Sequence, residues 1–273
     1  PFLYQPEIRE SLFGCVIVDE AQDFSLAQLL NLSKLTDNVN IAYSLDSHQS
    51  LLASKSIRPR LIQKITQLAQ AQRLHVTEIA LRDTYRCPAV VAKLANQVLA
   101  IKNHVTGGVG DKEEIAQIMP STKAGCVYWQ DSIPDSRDAF TSYFKRLQHE
   151  LNVNEAQIAI ITPQELIETV QRITEHPLVF SPSDIKGLEY PGIIAWSPLD
   201  HLDVAEANKY LPDEGEELNV STHRSKDKES NLDGLAPVLN GVFVTLTRAL
   251  VGLFILQPYS HNKRRVIGHL KQA

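Results

Sequence analysis

Apolar positions along the chain gather into short runs separated by amphipathic stretches. LFGCVIVD (12–19) and VNIAYSLD (39–46) are near-continuous apolar runs that predict buried strands of a parallel sheet. Between them, FSLAQLLNLSKL (24–35) carries leucines at helical spacing, with Ser25 placed as an N-cap. Residues 57–75 and 88–102 predict further helices, with Pro88 suited to a first helical turn. HVTGGVGDKEEIAQIMPSTKAG (104–125) then loses periodicity and collects Gly, Pro and charge. The pattern restarts with a strand at CVYW (126–129), a helix near 136–151 and a strand at QIAIITP (157–163). QELIETVQRI (164–173) reads as a helix, and PLVF (177–180) and GIIAW (192–196) as strands. A polar, charge-rich stretch at 212–234 reads as a surface loop, and the chain closes with GVFVTLTRALVGLFIL (241–256), read as a strand followed by a helix.

Strand–helix alternation in both halves predicts an α/β protein of two lobes, each with a largely parallel sheet flanked by helices. The expected division is a first lobe over 1–104, a linker over 105–124 and a second lobe over 125–273. Composition sharpens this only in places. An apolar share of 43% and a charged share of 22% suit a chain with a real core. A net charge of −5 argues against a purely electrostatic nucleic-acid binder, though not against a local basic groove. Cys15, Cys87 and Cys126 are odd in number and lack CxxC spacing, which predicts a reducing, cytoplasmic setting. No apolar run approaches the roughly 18 residues that span a bilayer, so no membrane partner is expected. The chain begins at Pro1 and its only methionine is Met119, as expected of a portion of a longer protein.

The candidate chemistry starts with GCVIVDEAQD (14–23), where an apolar run ends in Asp19, Glu20 and Asp23. Ligands of open parallel sheets collect at the carboxyl ends of strands. An Asp there can hold Mg²⁺, and a neighbouring Glu can orient or deprotonate a water. The competing reading makes these acids favourable neighbours of a helix dipole. SLDSHQSLL (44–52) places Asp46 and Gln49 just past a second strand, and Arg86, DIKGLEYPGIIAW (184–196) and Arg248 follow in order. Taken singly, Arg86 and Arg248 read as ion-pair partners and Gly187 as a turn residue. The histidines show no HExxH or other ligand spacing.

As an ordered set, DEAQD (19–23), TYRCP (84–88), KGLEYP (186–191) and VTLTRA (244–249) resemble superfamily 1 helicases of the UvrD/Rep type. QIAIITPQELIETV (157–170) is similar to the strand and helix that open that family's second lobe. The resemblance implies two RecA-like lobes, the first incomplete at its N-terminus, with ATP and Mg²⁺ as cofactors and single-stranded DNA or RNA as partner. It implies Asp19 as the Mg²⁺ ligand, Glu20 as the residue polarising the hydrolytic water, and Gln49 as a γ-phosphate sensor. Arg86 and Arg248 would reach the γ-phosphate, a role worth roughly 10³–10⁵ in rate where an arginine finger is used. Gly187 would allow close approach of the nucleotide, and Glu189 would accept from its ribose hydroxyl.

Departures from the family pattern bear on activity. No GxxxxGK[ST] phosphate loop occurs in these residues, and the family places it before DEAQD. The N-terminal remainder of the same protein is therefore an expected partner, and these residues alone are expected to be inactive. Leu45 stands where the family has a glycine, Ser183 where it has a histidine, and the base-stacking aromatic after Gln49 is missing. Two hypotheses follow. One is an ATP-dependent helicase or translocase. The other is a helicase-derived pseudo-enzyme that binds protein or nucleic acid without turning over ATP.

Overall fold

The first strand pair is short and parallel: β1 (Val16–Val18) pairs with β2 (Ile41–Tyr43) in the register Val16↔Ile41, Ile17↔Ala42, Val18↔Tyr43. The structure is a computed structural model that describes residues 13–33, 35–36, 40–46, 49, 77, 79, 86–106, 124–213, 215–218 and 235–272. The chain divides into two compact units, Pro1–Ile79 and Ala80–Ala273. The helix expected over 57–75 and most of the charged stretch at 212–234 lie outside the described residues.

In the first unit, α1 (Leu26–Ser33) connects the two strands. Ser25 caps it as expected: its Oγ accepts from Gln28 N at 3.4 Å, while Gln28 Oε1 accepts from Ser25 N at 2.8 Å. That reciprocal pair satisfies donors that the first helical turn leaves open. Val18, Ala21 and Leu29 form the local core, with Leu45 packed against it. The expectation that β1 and β2 are buried on both faces is corrected here. Ile17 is 75% exposed and its partner Ala42 is exposed too. α1 and the following turn cover only the face that carries Val18.

The second unit holds a five-stranded, wholly parallel sheet in the order β3-β7-β6-β4-β5. Its strands are β3 (Cys126–Gln130), β4 (Ile158–Ile161), β5 (Val179–Phe180), β6 (Tyr190–Trp196) and β7 (Ala249–Leu256). Helices α3 (Arg137–Leu151) and α4 (Ile167–Thr174) cover one face through Phe140, Phe144, Leu147 and Val170. Ser136 caps α3 by accepting from Ala139 N at 3.4 Å. The other face carries α2 (Ala89–Thr106), α6 (Leu235–Thr247) and α7 (Arg264–Lys271), α2 packing on both α6 and α7. Leu94, Val242, Leu246, Leu270 and Ile255 meet there around a void of about 10 Å³. Cover on both faces explains why β4 and the central run of β6 are buried at every residue. A short helix, α5 (Leu202–Ala207), follows β6.

Two sequence expectations change in this unit. α2 was grouped with the first lobe, but it packs with α6 and α7, and the division between units falls between Ile79 and Ala80. The closing segment runs helix then strand rather than strand then helix. GVFVTLT is rich in β-branched residues yet helical, because residues 239–247 are buried all round. Its hydroxyls are satisfied inside the helix: Thr245 Oγ1 donates to Gly241 O at 2.8 Å and Thr247 Oγ1 to Phe243 O at 2.9 Å. Gly192 and Gly252 lie opposite each other on β6 and β7, and a Cβ on either would stand under 3 Å from a Leu151 methyl. The paired glycines thus form a notch that seats the last residue of α3.

Candidate active-site residues

In the first unit, the turns after β1 and β2 are tied together by backbone and side chain. Ser44 N donates to Val18 O at 2.9 Å, and Ala21 N donates to Ser44 O at 2.8 Å. Glu20 sits between these bonds in the left-handed region, at φ 51° and ψ 40°. A non-glycine residue is uncommon there and is held by its surroundings. The conformation follows from the Asp19–Glu20 turn: Asp19 Oδ1 accepts from Glu20 N at 2.9 Å.

A residue that the sequence motifs pass over completes this arrangement. Gln22 is 2% exposed, and both ends of its amide are used. Its Nε2 donates to Glu20 Oε2, and its Oε1 accepts from Asp46 N at 2.9 Å. Asp46 in turn holds the next predicted residue: Gln49 Nε2 donates to Asp46 Oδ2 at 2.7 Å. Glu20 and Gln49 are therefore joined through Gln22 and Asp46 at the carboxyl ends of adjacent parallel strands. Nothing in the apolar pattern singles out Gln22. The available signal was a neutral amide, able both to donate and to accept, set among acids.

Asp19 is exposed at the same turn. Among the described residues no three His, Cys, Asp or Glu side chains gather as a metal-binding group. Crowding of Asp19, Glu20 and Asp23 in sequence thus does not become a carboxylate cage. That donor set fits Mg²⁺, which commonly takes one or two carboxylates, with water and phosphate oxygens completing its shell.

In the second unit, the predicted residues collect at the amino ends of the strands. Glu189 immediately precedes β6 and forms an ion pair with Arg86, both side chains remaining partly exposed. Arg86 is brought there by Pro88, which packs on Gly125 ahead of β3. A Cβ on Gly125 would stand 2.3 Å from two Pro88 ring carbons and 2.8 Å from Val251 O, so only glycine fits. Gly125 is a second residue that the sequence did not single out. Arg248 joins α6 to β7, and its carbonyl accepts from Tyr190 N at 3.1 Å. Its side chain is 1% exposed and turned inward, Nε donating to Val244 O at 3.2 Å and Nη2 contacting Thr247 Oγ1 at 3.4 Å. Gly187 has φ +84°, with open space where a Cβ would stand, so its need for glycine is conformational.

The two units together define the class: an α/β protein built on parallel sheets flanked by helices, consistent with a RecA-like α/β fold. Compared with known protein families and with characterised proteins, the sequence matches none. No helix among the described residues is long and apolar enough to cross a membrane.

Proposed function

We infer that these residues belong to an ATP-dependent helicase or translocase that moves on single-stranded DNA or RNA. The observation carrying this reading is the linkage of Glu20 to Gln49 through Gln22 and Asp46 at the carboxyl ends of β1 and β2. A carboxylate held this way is suited to accept a proton from an attacking water. In the hydrolysis, a bond forms from the water oxygen to the terminal phosphorus. The bond from that phosphorus to the bridging oxygen breaks, and its electron pair leaves with the diphosphate. Glu20 takes the proton, and Gln49 reports the terminal phosphate. Asp19 would hold Mg²⁺, whose chemistry is to neutralise charge on the phosphate oxygens. Glu189 would bind the ribose at the turn that Gly187 opens. The sequence has no GxxxxGK[ST] loop, so the reading requires a phosphate loop from outside these residues.

A second reading, a helicase-derived binding module without turnover, is favoured by one observation: the Arg248 guanidinium is buried against its own helix end. The two are separated by ATP turnover of the intact protein with and without single-stranded DNA or RNA. The translocase reading expects nucleic-acid-stimulated hydrolysis. It also expects Glu20→Gln to lower kcat by at least about 100-fold, the scale of lost general-base catalysis, while nucleotide binding persists. Turnover unchanged in Glu20→Gln would overturn the mechanism. Nucleic-acid binding without any hydrolysis would favour the module.

A further inference from the structure

Gln22 is more deeply buried than either acid beside it, and a buried primary amide is tolerated only when its donor and acceptor are both used. Here each end serves a different strand. The NH₂ group points at the Glu20 carboxylate, and the carbonyl receives the Asp46 N–H from the turn after β2. Its amide orientation is therefore fixed, because a flipped amide would set oxygen against the carboxylate and NH₂ against an N–H. Ala21 is fully buried beside it and Leu45 packs on the same core, so neither turn moves without disturbing the other.

We propose that Gln22 is a positioning residue: it aims the Glu20 carboxylate and transmits the state of the Asp46–Gln49 turn to it. The proposal rests on the translocase reading, in which Glu20 acts on water and Gln49 on the terminal phosphate. Movement at Gln49 reaches Asp46 through its carboxylate, Asp46 N–H through the backbone, and Glu20 through the Gln22 amide. Outer partners of this kind are typically worth 10–100-fold in activity.

Two substitutions divide the amide into its halves. Gln22→Glu keeps an oxygen to accept Asp46 N–H but removes the donor to Glu20, whereas Gln22→Leu removes both. Hydrogen exchange of the Asp46 amide in this chain reads the structural link without any activity. It should stay protected in Gln22→Glu and exchange faster in Gln22→Leu. In the intact protein, both variants should lower kcat for ATP by about 10–100-fold, with KM changed less than about twofold. Adding Gln22→Leu to Glu20→Gln should cost nothing further, since the amide acts through that carboxylate. Unchanged kcat in Gln22→Leu, or a loss that adds fully to Glu20→Gln, overturns the positioning role. Loss confined to KM or to folding overturns it too. Absence of hydrolysis in the wild type removes the translocase reading and the role with it. The Asp46 exchange pattern then reports separately whether the hydrogen-bonded link exists.

Discussion

The two sets of candidate residues are held by opposite means. At the carboxyl ends of β1 and β2, a neutral amide links acids and polar groups, and Asp19 faces outward. At the amino ends of β3, β6 and β7, cations are held by direct pairing or by burial instead. Arg86 is paired with Glu189 at a partly open surface, and Arg248 is folded into the end of its own helix. The first arrangement orients the Glu20 carboxylate through a neutral amide. The second keeps cations quiet by pairing or burial. Two arginines in one candidate set can therefore differ widely in what they do for stability.

That difference can be tested by breaking each contact. The largest effect is expected at Arg248. Arg248→Ala removes a buried side chain that donates to the carboxyl end of α6, and should cost the second unit about 2–4 kcal/mol in denaturant unfolding. Gly125→Ala comes next, because its methyl would press on the Pro88 ring and on backbone at Val251. A loss of about 1–3 kcal/mol is expected, with Arg86 displaced from Glu189. A smaller effect concerns pH. Burial beside Phe144 pushes the His176 imidazole below its ordinary value, against an opposing pull from the Glu155 carboxylate. The unfolded chain then binds the proton more readily than the folded one. The associated stability is complete above the unfolded value near 6.5 and is lost as pH falls through the lower folded value. His176→Gln should flatten the melting temperature of the second unit over that window, and an unchanged slope would remove His176 as its cause. The smallest effect is expected at the exposed pair. Arg86→Ala should change stability by no more than about 1 kcal/mol, diminishing further in salt. A large loss there would erase the contrast with Arg248.

What the amino-acid sequence disclosed, and what it hid, follows the same division. Continuous apolar runs announced β4, β6 and the sheet they belong to, because strands covered on both faces have no polar alternation to blur. Ser25 marked the helix start it caps, whereas the Ser136 cap emerged only in the structure. Misreadings arose where tertiary cover overrides local preference. GVFVTLT has the composition of a strand and becomes a helix inside α6, and VIV looks doubly buried although Ile17 faces out. α5 and α7 were not anticipated at all. Of the candidate site, motif order pointed to the acids and arginines. Gln22 and Gly125 were not, since their importance lies in partners from other turns: Asp46 for one, Pro88 and Val251 for the other.

The helix α6 has a consequence for how the second unit folds and fails. Its segment VFVTLT (242–247) is uncharged, lacks proline and glycine, and prefers strand geometry. Only the cover supplied by its neighbours keeps it helical. Whenever that cover opens, during synthesis or heating, the segment is released as an edge ready to pair with its like in another molecule. Variants that loosen the packing of α2 on α6 should therefore be lost to aggregation before they are lost to simple unfolding. A lysine placed in this run would be a poor gatekeeper, since every residue that escapes as a strand is needed inside as a helix.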